Sequence, residues 1–169
     1  MREPPWMVQA KAEIGVREFA GAADNPRVVA YFAACGLKAS PFTDDETPWC
    51  AAFVGAMLAN SGFRGTGNAM ARSYTRWPGS IKLGGPVYGA VTVIHRVPEH
   101  PTQGHVGFLM GKDLNSLALL GGNQNDAVNV AKFARSRLIG YYWPFGFQIE
   151  PEWVGPPMPS NTGSGDKVT

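Results

Sequence analysis

The chain has 169 residues, a formal net charge of +2 and a hydrophobic fraction of 44%, which is typical of one globular domain with a sizeable core. Its Lys and Arg residues are scattered and form no basic run, so the composition gives no indication of a nucleic-acid partner. No stretch approaches the ~20 apolar residues that a transmembrane helix needs, so membrane insertion is not expected.

The first part of the chain has the pattern of two helices. The opening residues, Met1 to Pro5, contain no apolar run, so no signal peptide is predicted. One helix is expected from Pro5 to Glu18 and a second from Asn25 to Gly36, because proline is favoured in the first turn of a helix and glycine after its last turn.

The stretch from Thr47 to Gly62 predicts a buried helix with Cys50 in its first turn. Thr47 is a favoured N-cap, Pro48 suits the first helical position, and Gly62 suits a left-handed C-terminal cap. The residues between them are apolar nearly all round, which indicates burial. A helix N-terminus brings the pKa of a cysteine from about 8.5 into the range of roughly 3.5–7.5. Cys50 is therefore a candidate nucleophile, with a small buried hydrophobic residue as the alternative.

The remaining candidate metal ligands do not form a recognisable metal site. The acidic run Asp44-Asp45-Glu46 precedes a helix start, where negative charge is favourable, and this role is preferred to calcium binding. The two cysteines and three histidines do not match a zinc spacing, so neither a metal nor another cofactor is predicted. If Cys50 is the nucleophile, Cys35 is expected to be a free thiol near the end of the second helix.

The second half of the chain changes to short strand-like runs. A short helix is expected over 69–77 and an irregular stretch over 78–89. Five strands follow, at Ala90–Arg96, Gly104–Gly111, Leu117–Gly121, Ala127–Phe133 and Leu138–Trp143. Their short connections favour antiparallel pairing, and helices followed by strands predict an α+β fold. Residues 145–169 are rich in Pro, Gly and Ser and are expected to wrap the surface or to extend as a tail, so the domain is assigned to residues 1–144.

A thiol nucleophile needs a base, and His105 is the best candidate for it. It lies at the start of a predicted strand, between two glycines, and Gly104 leaves room for a substrate backbone to approach. A structural role for His105 is the alternative. His95, in mid-strand, and His100, in a proline-flanked loop where it is expected to be solvated, are weaker candidates.

The orienting group for such a base is expected from the next strand. Asn123, just after that strand, is predicted to accept the imidazole N–H through its side-chain carbonyl and so to hold the tautomer. A plain turn is the alternative. Gln124 is a candidate donor to an oxyanion, although the backbone N–H of Cys50 is the more usual donor.

Four segments in this order carry a resemblance to a known family: Asp45–Val54, Gly104–Phe108, Leu120–Gln124 and Ser136–Tyr141. They resemble the papain-like cell-wall hydrolases of bacteria and phages, the NlpC and CHAP (cysteine, histidine-dependent amidohydrolase/peptidase) group. The resemblance covers the chain from about residue 6 to residue 144. One departure is Gly89-Ala90, where many relatives carry Gly-Asp.

The resemblance implies a papain-like α+β fold in which the nucleophile begins a helix that packs on an antiparallel sheet. Cys50 resembles the nucleophile, His105 the general base and Asn123 the polar third residue. Trp49 and Tyr74 are candidate groove residues against sugar rings, with a core role as the alternative.

The implied activity is that of an endolysin-like peptidoglycan hydrolase that cleaves an amide bond of the stem peptide or the muramoyl-peptide link. A monomer is expected, made in the cytoplasm and acting on the bacterial wall after phage lysis or injection. The alternatives are an amidohydrolase or deamidase with other substrates and a non-catalytic wall-binding module.

Overall fold

Three helices precede a sheet of seven strands in the computed structural model, which describes residues 2–39, 42–96, 103–160 and 162–164. The helices are α1 (Pro5–Ala12), α2 (Pro26–Ala34) and α3 (Cys50–Asn60). The strands are β1 (Ser80–Leu83), β2 (Val91–His95), β3 (Gly104–Lys112), β4 (Ser116–Gly121), β5 (Asn129–Ala134), β6 (Leu138–Pro144) and β7 (Gly163–Ser164). The α+β prediction is confirmed, and each of the five predicted strands is present with ends shifted by no more than a few residues.

The sheet is open and almost entirely antiparallel, with the strand order β1-β6-β2-β3-β4-β5-β7. Neighbours from β2 to β5 pair antiparallel, as their short connections predicted. After β5 the chain crosses back, and β6 pairs antiparallel with both β2 and β1. Among the strands that the structure describes, β5 and β7 pair parallel. The strand that carries His105, β3, therefore lies near the middle of the sheet.

Helix α3 begins two residues later than the sequence predicted. Thr47 is not its N-cap, because its backbone N–H and its hydroxyl both donate to Asp44 Oδ1, at 2.8 and 2.9 Å. The capping position falls on Trp49, whose side chain makes no capping hydrogen bond, and Cys50 becomes the first helical residue. A turn closed by Asp44 therefore replaces the predicted first turn.

The C-terminal end of α3 is as predicted. Gly62 has φ +82° and its N–H donates to Ala59 O at 3.1 Å, while the N–H of Phe63 donates to Leu58 O at 2.9 Å. These two bonds are those of a Schellman motif, in which a glycine takes the left-handed position. Residues 50–58 are all buried, which confirms the predicted core helix.

Asp45 holds the loop before α3 against the preceding turn. Its side chain is fully buried, and Oδ2 accepts the N–H groups of Phe19 and Asn25 at 2.9 and 2.8 Å. Its own N–H donates to Asp24 Oδ1 at 3.1 Å. Its role is thus to close the long loop, rather than to lend charge to the start of α3.

The segment that follows β6 packs against the rest of the chain as far as it is described. Trp153 is buried, and its ring stacks on that of Phe147 at 6.3 Å between centroids with an interplanar angle of 1°. Its Nε1–H donates to Arg2 O at 3.0 Å, which links the two ends of the described chain. No helix among the described residues has both the length and the apolar character needed to cross a bilayer.

Candidate active site

Cys50 lies in the wall of a cavity of about 310 Å³, at the start of α3. Its side chain is nearly buried, with 7% exposed. Two arginines, Arg72 and Arg96, line the same cavity, together with Gly104 at the start of β3. The cavity thus lies between the start of α3 and the start of the strand that carries His105.

Burial raises the pKa of the Cys50 thiol. Backbone hydrogen bonds with Val106 and Ala51 and the positive charge of Arg96 act in the opposite direction and do not outweigh it. The predicted lowering of the pKa by the helix start is therefore wrong for the free protein. The physical reason is that removing a thiolate from water costs more than the first backbone N–H groups of the helix return. The free protein holds Cys50 as a neutral thiol at neutral pH.

His105 is fully buried on β3, and only one of its ring nitrogens is hydrogen-bonded. Its Nε2 lies 2.9 Å from Gln124 Oε1, while Nδ1 has no hydrogen-bond partner among the described residues. Burial, and to a smaller extent the charges of Arg137 and Arg96, lower the pKa of His105 to about 4. The ring is therefore neutral at pH 7, which leaves it able to accept a proton.

The amide of Gln124 fixes the tautomer of this ring. Its Nε2–H₂ group donates to Asn129 O at 2.8 Å, to Asn129 Oδ1 at 2.9 Å and to Leu119 O at 3.2 Å. Oε1 is then the atom that faces His105, and it accepts from the N–H at His105 Nε2. Because a neutral imidazole carries one proton, the lone pair lies on Nδ1.

The orienting role predicted for Asn123 falls to Gln124, one residue later. Asn123 has φ 55°, so the chain turns in the left-handed region there and brings the next side chain back over the sheet. Gly121 provides the space: a Cβ at that position would lie 2.7 Å from Gln124 Oε1 and 3.3 Å from His105 Nε2. The oxyanion role predicted for Gln124 is likewise replaced, since its donors are all used by Leu119 and Asn129.

Cys50 and His105 share one region of the structure without being hydrogen-bonded to each other. The thiol lies against the backbone of Val106, the residue that follows His105, and the charge of Arg96 acts on both groups. No hydrogen bond from the described residues reaches His105 Nδ1, and the ring of His105 does not line the cavity beside Cys50. Catalytic hydrogen bonds are often long or poorly aligned in proteins without bound substrate.

Trp49 and Tyr74 belong to the core and do not line the cavity. Trp49 is fully buried, its Nε1–H donates to Glu18 Oε1 at 2.5 Å, and its ring stacks on Tyr31. Tyr74 is 1% exposed and packs against the ring of Trp77. Of the two predicted roles, the structure supports the core role for both residues.

Gly104 lines the cavity, but the space above its Cα is occupied. A Cβ there would lie 2.8 Å from Cγ of Arg72, so the glycine accommodates an arginine side chain rather than a substrate backbone. His95 pairs with Gly104 across β2 and β3, and its Nδ1 is buried without a hydrogen-bond partner among the described residues. His100 lies outside the described residues.

The other cysteine is a free thiol, as predicted. Cys35 directly follows α2, is partly buried, and donates through Sγ to Ala52 O at 3.1 Å. Burial raises the pKa of Cys35 to about 12, so it is a poor nucleophile. Within the described ranges, no three His, Cys, Asp or Glu side chains are grouped closely enough to hold a metal ion.

Sequence reasoning missed Arg72, Arg96 and Gly121 as parts of the site. No sequence signal distinguishes these arginines from the scattered surface ones, because their placement depends on how the helix over 71–76 meets the end of β2.

Comparisons of the chain with protein-family models, curated proteins and solved structures find no match.

Proposed function

We propose that this protein is a cysteine-dependent amide hydrolase with a papain-like arrangement, acting on peptidoglycan. The observation that carries the proposal is the state of His105: buried, neutral, held by Gln124 at Nε2, and with a free lone pair at Nδ1. A thiol at a helix start lies against the neighbouring residue of the same strand. A nucleophile, a base and a group that orients the base are the three parts that thiol catalysis needs.

In the proposed reaction the free protein starts as a neutral thiol and a neutral imidazole. His105 Nδ1 takes the Cys50 proton as sulfur attacks the amide carbonyl, and backbone N–H groups at the start of α3 stabilise the oxyanion. The imidazolium then gives that proton to the leaving amine, and the C–N bond breaks to leave a thioester. Water, deprotonated by His105, hydrolyses the thioester and restores the thiol.

The choice of peptidoglycan is supported by the order of four motifs that resemble cell-wall hydrolases, from Asp45–Val54 to Ser136–Tyr141. The scissile bond is then an amide of the stem peptide or the muramoyl-peptide link. An endolysin-like role fits this substrate. The cavity beside Cys50 is open to the surface, as an attack on a polymer requires.

The test is mass spectrometry of soluble products released from purified Gram-negative peptidoglycan by the wild-type protein. We expect defined fragments whose masses and new amino termini correspond to hydrolysis of one amide bond. Peptide release without sugar would indicate the muramoyl-peptide link, and fragments cut within the peptide would indicate an endopeptidase. If no fragments are released from walls of several chemotypes, the wall substrate is wrong.

A further inference from the structure

The cavity beside Cys50 is positively charged. Its lining contains Arg72 and Arg96 and, among the described residues, no Asp or Glu. The other lining residues are neutral. A cavity with this composition favours a substrate that carries negative charge close to the reacting carbonyl.

Arg72 is held over the start of β3 by the fold. It belongs to the 3₁₀ helix Ala71–Arg76, and its Cγ lies where a side chain at Gly104 would be. The residue is half-buried, and none of the salt bridges among the described residues includes it. An arginine in a cavity that no described Asp or Glu lines is arranged to receive a carboxylate from a ligand.

Arg96 brings a second positive charge to the reacting groups. Its backbone is held from two sides, because its N–H donates to Gln103 O at 3.4 Å and its carbonyl accepts from the guanidinium of Arg137. Its charge is felt at both Cys50 and His105. The two arginines therefore lie on the same cavity as the thiol, one from the helix side and one from the end of β2.

We propose that Arg72 and Arg96 form a subsite for a carboxylate that lies next to the scissile amide, so that the substrate is an acidic peptide. That the bound peptide is a substrate rests on the proposed hydrolase function. The carboxylate subsite itself is a property of the cavity. A planar guanidinium binds a carboxylate through two parallel N–H···O bonds, and it makes no comparable contact with a carboxamide.

The test compares two alkylating reagents that differ only in this group. Iodoacetate and iodoacetamide each transfer their methylene carbon to sulfur and release iodide, and they carry a carboxylate and a carboxamide respectively. The rates at Cys50 are measured by intact mass in a Cys35→Ser background, and their ratio is divided by the same ratio for free cysteine. We expect the normalised ratio to favour iodoacetate by about tenfold or more, the size of one charge-assisted contact.

Variants of Arg72 and Arg76 test whether the preference for iodoacetate comes from Arg72. Arg72→Gln is expected to lower the normalised ratio at least about fivefold, and Arg72→Lys to retain part of the preference because its charge remains. Arg76→Gln is the matched control, since Arg76 is exposed on the same 3₁₀ helix and does not line the cavity; its ratio stays at the wild-type value. A wild-type ratio equal to that of free cysteine, no alkylation of Cys50 by either reagent, or an equal fall in Arg76→Gln would overturn the proposal.

A second measurement separates the subsite from the hydrolase. Paired peptides carry a carboxylate or a carboxamide next to the same amide bond, and their kcat/KM values are compared for the wild-type protein. Equal cleavage of both contradicts the subsite and leaves the hydrolase standing. A preference for iodoacetate in a protein that cleaves no peptide and no wall supports the subsite and contradicts the hydrolase.

Discussion

Gln124 determines which nitrogen of His105 carries the proton. Its amide donors are used by the main chain of Leu119 and by Asn129, so its carbonyl oxygen faces the ring and accepts the ring N–H. Without that acceptor the proton is free to move to Nδ1, and the ring would no longer present a lone pair there. The role of Gln124 is therefore positional.

The first prediction compares Gln124 with its neighbour. Gln124→Leu keeps a similar volume and removes the hydrogen-bond acceptor of His105. We expect kcat/KM for wall fragments to fall about 100-fold or more, which is the usual contribution of general acid–base catalysis to the rate. Asn123→Gly, which keeps the left-handed turn, is expected to retain most activity. Thermal melts check that both variants are folded. Loss of activity in Asn123→Gly together with retention in Gln124→Leu would restore Asn123 as the third residue.

The types of residue in the site could be predicted, but the pairing of His105 could not. A cysteine at a helix start, a histidine at a strand start and an amide after the next strand are visible in the sequence. Which of the two adjacent amides reaches His105 depends on the φ of Asn123 and on the missing side chain of Gly121. Neither follows from periodicity, so the interpretation was wrong by one residue.

Elements were predicted best where local chemistry determines them. Gly62 ended α3 as expected, because only a residue that tolerates positive φ closes a Schellman motif. The start of α3 was displaced because Asp44 competes for Thr47, a contact that no propensity includes. Strand β1 was missed because it is four residues long with its two central residues exposed, and its pairing with β6 is distant in sequence.

The second prediction concerns the end of α3. Gly62→Ala is expected to lower the free energy of unfolding by about 1 kcal/mol, because an L-residue is strained at φ +82°. A Cβ at that position meets nothing within 4 Å, so the cost is one of backbone conformation alone. Gly84→Ala is the matched control, since its surroundings are equally open and its φ is not in the left-handed region; its stability should stay within about 0.5 kcal/mol of wild type in urea titrations. Equal effects of the two substitutions would contradict this explanation.

At the scale of the whole molecule, the proposed base His105 is buried in the middle of the sheet, and this burial affects the stability of the folded protein in acid. Strands β2 and β4 flank β3, helix α3 packs against it, and Gln124 from the turn after β4 contacts His105. Burial in such a place disfavours the protonated form of a histidine. The folded protein should therefore tolerate acid less well than one whose histidines are exposed.

The third prediction follows from the lowered pKa of His105. An exposed histidine in the unfolded chain titrates near 6.5, and the folded pKa is about 4, so as the pH falls protons bind the unfolded state first. The stability is complete above pH 6.5 and is lost between 6.5 and about 4, by roughly 3 kcal/mol in total.

Urea unfolding at pH 7.5 and at pH 4.5 measures this loss, and His105→Gln is the control because it cannot titrate. The wild-type protein should lose more stability than the variant over this interval. If both lose the same amount, His105 is not the buried neutral group that the structure indicates.

The central claim is that the thiol of Cys50 does the chemistry, and the chain offers a matched pair of cysteines to test it. The measurement is the release of soluble fragments from purified peptidoglycan by Cys50→Ala and by Cys35→Ala, each beside the wild-type protein. The account predicts that Cys35→Ala releases the wild-type fragments at a similar rate, while Cys50→Ala releases none. Release of the same fragments by Cys50→Ala would show that Cys50 is not the nucleophile.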